Sequence, residues 1–273
     1  MMIVRTIAGL REALMAPREE DRRIGLVPTM GAFHDGHISL FRASAAECDL
    51  TVASLFVNPA QFGENEDLAR YPRDEAGDAR KAEDAGVDLL FVPSGDELYP
   101  PRFQTWIEVR ELGAVLEGEL RPLHFQGVAT VCLKLFNITQ PAVAYFGRKD
   151  AQQVAVIKTM IRELNLPIEI RSMPIVRDPD GLALSSRNVY LSADDRRHAL
   201  ALPRALEAGA RADAAGRDAV AAAREILDAT SGIGVDYVAV ADLDGPTLAA
   251  AIRVGSTHLI DNVLLQRETP ETA

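Results

Sequence analysis

The chain has 273 residues, 48% of them hydrophobic, enough apolar side chain for one large core or two unequal ones. Its formal net charge of -11 excludes the broad basic face that neutralises nucleic-acid phosphates and points to a small-molecule partner. Cys48 and Cys132 stand far apart without metal spacing, so no disulfide framework or zinc site follows, and both are expected to pack among apolar neighbours. Arginine and glutamate interrupt MMIVRTIAGLREAL too often for a secretory apolar segment, and VATVCLKLF breaks at Lys134, short of membrane-spanning length. The expectation is a soluble cytoplasmic protein with no membrane or nucleic-acid partner.

Residues 24–29 form a short apolar run ending beside Pro28. Gly31 and Gly36 follow, and then ISLFRASAAE at helical spacing, a strand, loop and helix in succession. The pattern recurs: 50–57 (LTVASLFV) is a buried strand stopped by Asn58-Pro59, 74–86 a charged helix and 87–92 (VDLLFV) a strand. Helix 124–136, strand 142–146, amphipathic helix 150–164 and strand 168–176 continue the alternation. This order predicts a parallel α/β sheet, which binds ligands beyond the carboxyl ends of its strands. His34, Asn58 and Lys149 all fall just past such ends. After Arg177 two alanine-rich helices, 193–210 and 218–229, precede two strand-like runs, 235–240 and 258–265. The expected division is a Rossmann-like domain over 1–176 and a smaller α+β domain over 177–273. ETPETA at the C-terminus has little apolar content to bury and is expected to fray.

VPTMGAFHDGH poses the chemical question. Glycines let backbone approach a ligand, a helix N-terminus offers N–H groups to phosphate, and His34 and His37, three apart, share one face of a first turn. These features describe a triphosphate site without a Walker A loop. Surface or packing histidines remain an alternative, and zinc is weaker because a third and fourth ligand are missing. In FGRKDAQQ, Lys149 can reach a phosphate, Asp150 can cap a helix or help hold magnesium, and Gln152 and Gln153 offer amides. DPDGLALSSRN joins a tight turn to Ser185, Ser186 and Arg187, groups suited to phosphate on a segment able to close. No serine occupies a nucleophile elbow. Asn58, Gln61 and Tyr71 follow the next strand and suit a polar, uncharged part of a substrate. Each segment alone also reads as an ordinary turn or cap.

The ordered set PTMGAFHDGH, FVNPAQFG, YPRD, RPLHFQGV, FGRKDAQQ and DGLALSSRN closely resembles the pantothenate synthetase (pantoate–beta-alanine ligase) family across nearly the first 190 positions. The resemblance implies a Rossmann-like nucleotidylyl-transferase domain of the HIGH-motif type, a smaller C-terminal α+β domain that closes on it, a homodimer, and ATP used with Mg2+. It further implies ligation of pantoate and β-alanine through a pantoyl adenylate. Carried over by motif, the catalytic set is His34, His37, Lys149, Ser185, Ser186 and Arg187. The nucleotide side takes Pro28, Met30, His37, Gly147, Lys149, Asp150, Val176, Leu184 and Ser185 to Arg187. Gln61 and Gln153 match the glutamines that hold pantoate, with Asn58 and Met30 nearby and Tyr71 and Arg121 at further motif positions; no metal ligand is assigned. Three positions depart from the family pattern: Arg148 where an acidic residue is common, Leu184 for methionine and Phe33 for leucine. Other adenylyltransferases of nucleotides or phosphopantetheine, an aminoacyl-tRNA synthetase and a non-catalytic nucleotide sensor are the competing readings. The Gln61–Gln153 pair and the C-terminal domain favour the ligase.

Overall fold

The computed structural model describes residues 1–64 and 66–266. They form two compact units, one of residues 1–148 and 152–174, the other of residues 149–151 and 175 onward. The C-terminal ETPETA segment lies outside the described residues.

The first unit opens with β1 (Met2–Val4), α1 (Ile7–Ala13) and α2 (Met15–Glu19), then β2 (Ile24–Thr29), α3 (Asp35–Glu47) and β3 (Leu50–Leu55). A 3₁₀ turn at Pro59–Gln61 and another at Asp67–Ala69 lead to α4 (Glu75–Asp84), β4 (Leu89–Phe91), α5 (Gly95–Leu98), α6 (Glu117–Leu120) and α7 (His124–Thr139). It closes with β5 (Val143–Gly147), α8 (Ala151–Glu163) and β6 (Glu169–Met173). The six strands form one sheet in the order β1-β4-β3-β2-β5-β6, parallel throughout. From β2 the chain winds outward through β3 to β4, then crosses back to β5 on the other side. The topological switch point, where such sheets bind ligands, therefore lies between β2 and β5.

Strand residues alternate between two cores, as a sheet covered on both faces requires. Leu26, Val52, Leu89, Phe91, Ala144 and Phe146 pack with Leu10 of α1, the apolar side of α7 and Val156 and Ile157 of α8. Val27, Ala53, Leu90, Val143 and Tyr145 pack with Leu40 and Phe41 of α3 and Ala82 of α4. Each fully buried leucine or phenylalanine contributes about 1.5–3 kcal/mol by leaving water. Helix α3 sits so close to β2 that a Cβ on Gly25 would fall 2.3 Å from Ser44 Oγ and 2.9 Å from Cys48 Sγ. Both cysteines are free, Cys132 buried and Cys48 half-buried.

The second unit contains a 3₁₀ turn (Ser186–Tyr190), α9 (Ala193–Ala199), α10 (Ala201–Ala214), α11 (Ala219–Asp228) and an antiparallel sheet of β7 (Ile233–Asp242), β8 (Pro246–Val254) and β9 (Thr257–Leu264). Leu202, Leu206 and Leu227 of the helices pack on Leu248, Ile252 and Leu259 of the sheet. Two local expectations change, and one strand was not anticipated. The helix read over 193–210 divides at Leu200 into α9 and α10. Two strand-like runs become three strands, because PTLAAAIRV pairs as the central strand β8. Its alanines carry little strand propensity, and pairing on both sides overrides it. At the N-terminus, three residues are too few for a periodicity, yet β1 pairs with β4.

Candidate active site

The loop after β2 is built to present two histidines. Gly31 and Ala32 take positive φ values of 89° and 54°, reversing the chain before α3. Asp78 of α4, 2% exposed, spans this reversal: its two carboxylate oxygens accept from Ala32 N and Phe33 N, both at 2.7 Å. Lys81 Nζ donates to Phe33 O at 2.7 Å, so two side chains one turn apart grip the same short loop. His34 then caps α3, its Nδ1 accepting from Gly36 N at 3.2 Å, while His37 Nδ1 accepts from His34 N at 3.3 Å. Each ring accepts a backbone hydrogen at Nδ1, which puts the proton of the neutral imidazole on Nε2. The rings lie 4.2 Å apart, with Phe33 5.3 Å from His37 and edge-on to Phe41. Two Nε2–H donors on one turn at a helix N-terminus suit an anion. Met30 and Gly31 also line a cavity of about 270 Å³ bounded by Leu55, Phe56, Pro72 and Asp74. Pro28, the penultimate residue of β2, is in register with Ser54 of β3.

A second cluster stands at the end of the adjacent strand β3. Asn58 is 1% exposed and caps the Pro59–Gln61 turn, accepting from Ala60 N at 3.3 Å. Its Nδ2 donates to Gln61 Oε1 at 3.0 Å and to Gly127 O at 3.1 Å. Arg121 Nε and Nη2 pair with the Glu66 carboxylate at 3.0 and 2.5 Å, and Nη2 also reaches Gln61 O at 3.3 Å. Tyr71 is buried edge-on against Phe62. The adjacent glutamines of α8 differ in their surroundings. Gln152 is buried, donates to Leu112 O and Val115 O at 2.7 Å each and accepts from Glu117 N at 3.2 Å, a tether for the loop before α6. Gln153, one residue on and so on another face of the helix, is half-buried.

In the second unit, Lys149 Nζ lies 3.5 Å from Asp150 Oδ1, and Lys149 O accepts from Asn262 Nδ2 at 2.9 Å. Val176 O accepts from Leu184 N at 3.0 Å, which brings two expected nucleotide residues into one turn. Ser185 caps the following 3₁₀ turn by accepting from Arg187 N at 3.2 Å. The segment is anchored by Arg177, which pairs with the buried Asp261 at 2.6 and 3.0 Å, and by Arg196, which holds Asp178 at 2.6 Å and Asp180 at 2.8 Å. That guanidinium keeps the Asp180 carboxyl below its usual range. Gly147 ends β5 at the switch point, and Arg148 opens the 3₁₀ turn that follows.

Met30, His34 and His37 thus belong to the loop after β2 and the first turn of α3, Arg121 reaches the turn of Asn58 and Gln61, and Val176 lies against the segment Leu184 to Arg187. Sequence reading passed over Asp78, Lys81, Glu66 and His124. His124 lies inside RPLHFQGV and so was in view, whereas Asp78 carries no signal beyond a charged helical pattern.

A doubly wound parallel sheet with a histidine pair at the switch-point strand defines an α/β protein of the nucleotidylyl-transferase type. The model of the pantoate-beta-alanine ligase family matches residues 2–264, and the chain belongs to that family. It is 50% identical to pantothenate synthetase 1 of Bradyrhizobium diazoefficiens, the match covering 97% of this chain and 98% of that one. It is 51% identical to the pantothenate synthetase of a Roseiflexus species, covering 97% and 100%. Among solved structures, the pantothenate synthetase from Thermus thermophilus superposes with a TM-score of 0.92 at 45% identity, covering 96% of this chain and 99% of that one. The pantoate-beta-alanine ligase from Francisella tularensis, complexed with beta-gamma ATP and beta-alanine, superposes with a TM-score of 0.85 at 33% identity, covering 98% and 99%.

Proposed function

We infer that this chain joins pantoate to β-alanine at the expense of ATP, giving pantothenate, AMP and pyrophosphate through a pantoyl adenylate. The observation that carries the reading is the pair of Nε2–H donors at the start of α3, which follows β2, with the amide cluster at the end of the neighbouring strand β3, in a chain of this family. A pantoate carboxylate oxygen attacks the α-phosphorus and pyrophosphate leaves. The β-alanine amine then attacks the acyl carbon and AMP leaves. His34 and His37 donate to phosphate oxygens as charge builds on the leaving group, and Lys149 adds a fixed positive charge. Ser185, Ser186 and Arg187 complete the phosphate contacts, with Pro28, Met30, Gly147, Asp150, Val176 and Leu184 around the nucleotide. Gln61 and Gln153 hold pantoate, supported by Asn58, Tyr71 and Arg121. The first step is mainly electrostatic and forms no covalent enzyme intermediate.

Among the described residues no group of three or more His, Cys, Asp or Glu side chains is placed to hold a metal ion. Mg2+ accordingly enters this proposal carried by the phosphates of ATP, with the Asp150 carboxylate as the candidate protein oxygen. A bound magnesium ion neutralises charge on the phosphate oxygens. The proposal also takes the enzyme to be a cytoplasmic homodimer. Among the described residues, no helix is long and apolar enough to cross a membrane.

Exchange of labelled pyrophosphate into ATP, with magnesium and without β-alanine, tests the reading. Exchange that depends on pantoate is expected. Exchange only with a nucleotide or phosphopantetheine would make the chain another adenylyltransferase, and ATP binding without exchange would make it a sensor. Gln61→Ala is expected to raise the pantoate KM most among the amide variants; an unchanged pantoate KM would remove that assignment.

A further inference from the structure

The turn that carries Gln61 does not hold its shape alone. Among the described residues, its capping contacts come from Asn58 and its outer contacts from Arg121 and the first turn of α7. His124 Nδ1 meets Gln61 O at 2.8 Å, and His124 Nε2 meets Arg121 Nη1 at 3.3 Å. A carbonyl only accepts and a guanidinium only donates, so the ring carries its proton on Nδ1, donates to Gln61 O and accepts from Arg121. Arg121 is fixed in turn by the two oxygens of Glu66. Three residues further along α7, Gly127 lies against the same turn: a Cβ there would stand 2.4 Å from Ala60 O and 2.7 Å from Gln61 N. Asn58 bridges the two elements through Gly127 O and holds Gln61 Oε1. That last bond directs the Gln61 NH2 group, a donor, away from Asn58.

We propose that His124 is a positioning residue for Gln61: the Glu66–Arg121–His124 chain and the bare backbone at Gly127 fix the 3₁₀ turn so that the Gln61 amide is set before the acid substrate arrives. The proposal rests on the reading of Gln61 as a pantoate ligand. It gives Arg121 the task of orienting His124, its guanidinium nitrogens being engaged by Glu66, His124 and Gln61 O. Burial, reinforced by the Arg121 charge, pushes the imidazole down to about 4, and the ring is therefore neutral and in one tautomer across the working pH range. Preorganisation of this kind acts on substrate binding, because a loose turn must be ordered at the moment of association.

The test is steady-state kinetics of the full chain for His124→Leu, His124→Asn, Gln61→Ala and the Gln61→Ala/His124→Leu double variant, with thermal melts alongside. His124→Leu is expected to raise the pantoate KM about tenfold, with the ATP KM and kcat within about twofold of the parent. His124→Asn, whose side-chain amide can replace the Nδ1–H donor, is expected to recover most of that loss. In the double variant, His124→Leu should add nothing to Gln61→Ala, since the residue acts only through that side chain. Full additivity, an unchanged pantoate KM in His124→Leu, or equal damage to both substrates without rescue by asparagine would each overturn the proposal. An unchanged pantoate KM in Gln61→Ala alone would instead remove the reading beneath it. Where His124→Leu fails to fold, Glu66→Gln serves. Glutamine keeps the length of the side chain but accepts from Arg121 through one oxygen only, so the same selective rise in pantoate KM is expected, and its absence counts against the proposal.

Discussion

Asp78 holds the loop that leads into the two histidines. Its carboxylate accepts from Ala32 N and Phe33 N, and Asp78→Asn puts an NH2 group against one of these donors. The loss of a buried, charge-assisted bond costs about 1–3 kcal/mol. In this variant kcat/KM for ATP is expected to fall about tenfold or more, with a lower melting temperature. A melting change with unaltered kcat/KM would show that the clamp supports the fold alone. Of the three expected departures from the family pattern, Phe33 has a local account: it is buried edge-on to Phe41. His124 supplies a pH dependence of known sign. Its value falls from 6.5 to about 4 on folding, so between those limits the unfolded chain binds the extra proton. Stability from this group is complete above about 6.5 and declines as pH falls, by up to about 1.4 kcal/mol per pH unit, levelling off below about 4. Urea titrations from pH 7 to 4.5 are expected to show a shallower decline in His124→Asn than in the parent.

At the scale of elements, close packing decides what composition leaves open. Helix α10 meets its neighbours at Gly209, where a Cβ would lie 2.3 Å from Leu248 Cδ2 and 2.8 Å from Ala219 O. Gly209→Val is expected to destabilise the second unit by about 1–3 kcal/mol through overpacking, seen as a lower urea midpoint. The helices over 35–47, 75–84 and 124–139 were legible, the second from its charged stretch, as were β2 to β6, from short apolar runs that end at turn residues. Strand β8 was not: TLAAAIRV carries little strand propensity, and pairing with β7 and β9 makes it a strand. Nor was the division of 193–210 into α9 and α10, since the apolar pattern runs through Leu200 unbroken.

For the molecule as a whole, the proposed function assigns the magnesium to ATP rather than to the fold. On that proposal, chelating magnesium is expected to abolish pyrophosphate exchange while leaving the far-ultraviolet circular dichroism and melting temperature unchanged. A melting temperature that falls with chelator would reveal a structural ion. Light scattering of the purified protein tests the proposed homodimer directly, through its molar mass. What the sequence by itself determined is the α/β alternation, the ordered motifs and the family they belong to, because periodicity and glycine-histidine spacing are written locally along the chain. Only the tertiary structure decided which charged residues serve the loops: Asp78 reaches across 45 residues to Phe33 N and His124 across 63 to Gln61 O. Separations of that length leave no local pattern, since these partners meet only after the parallel sheet has formed.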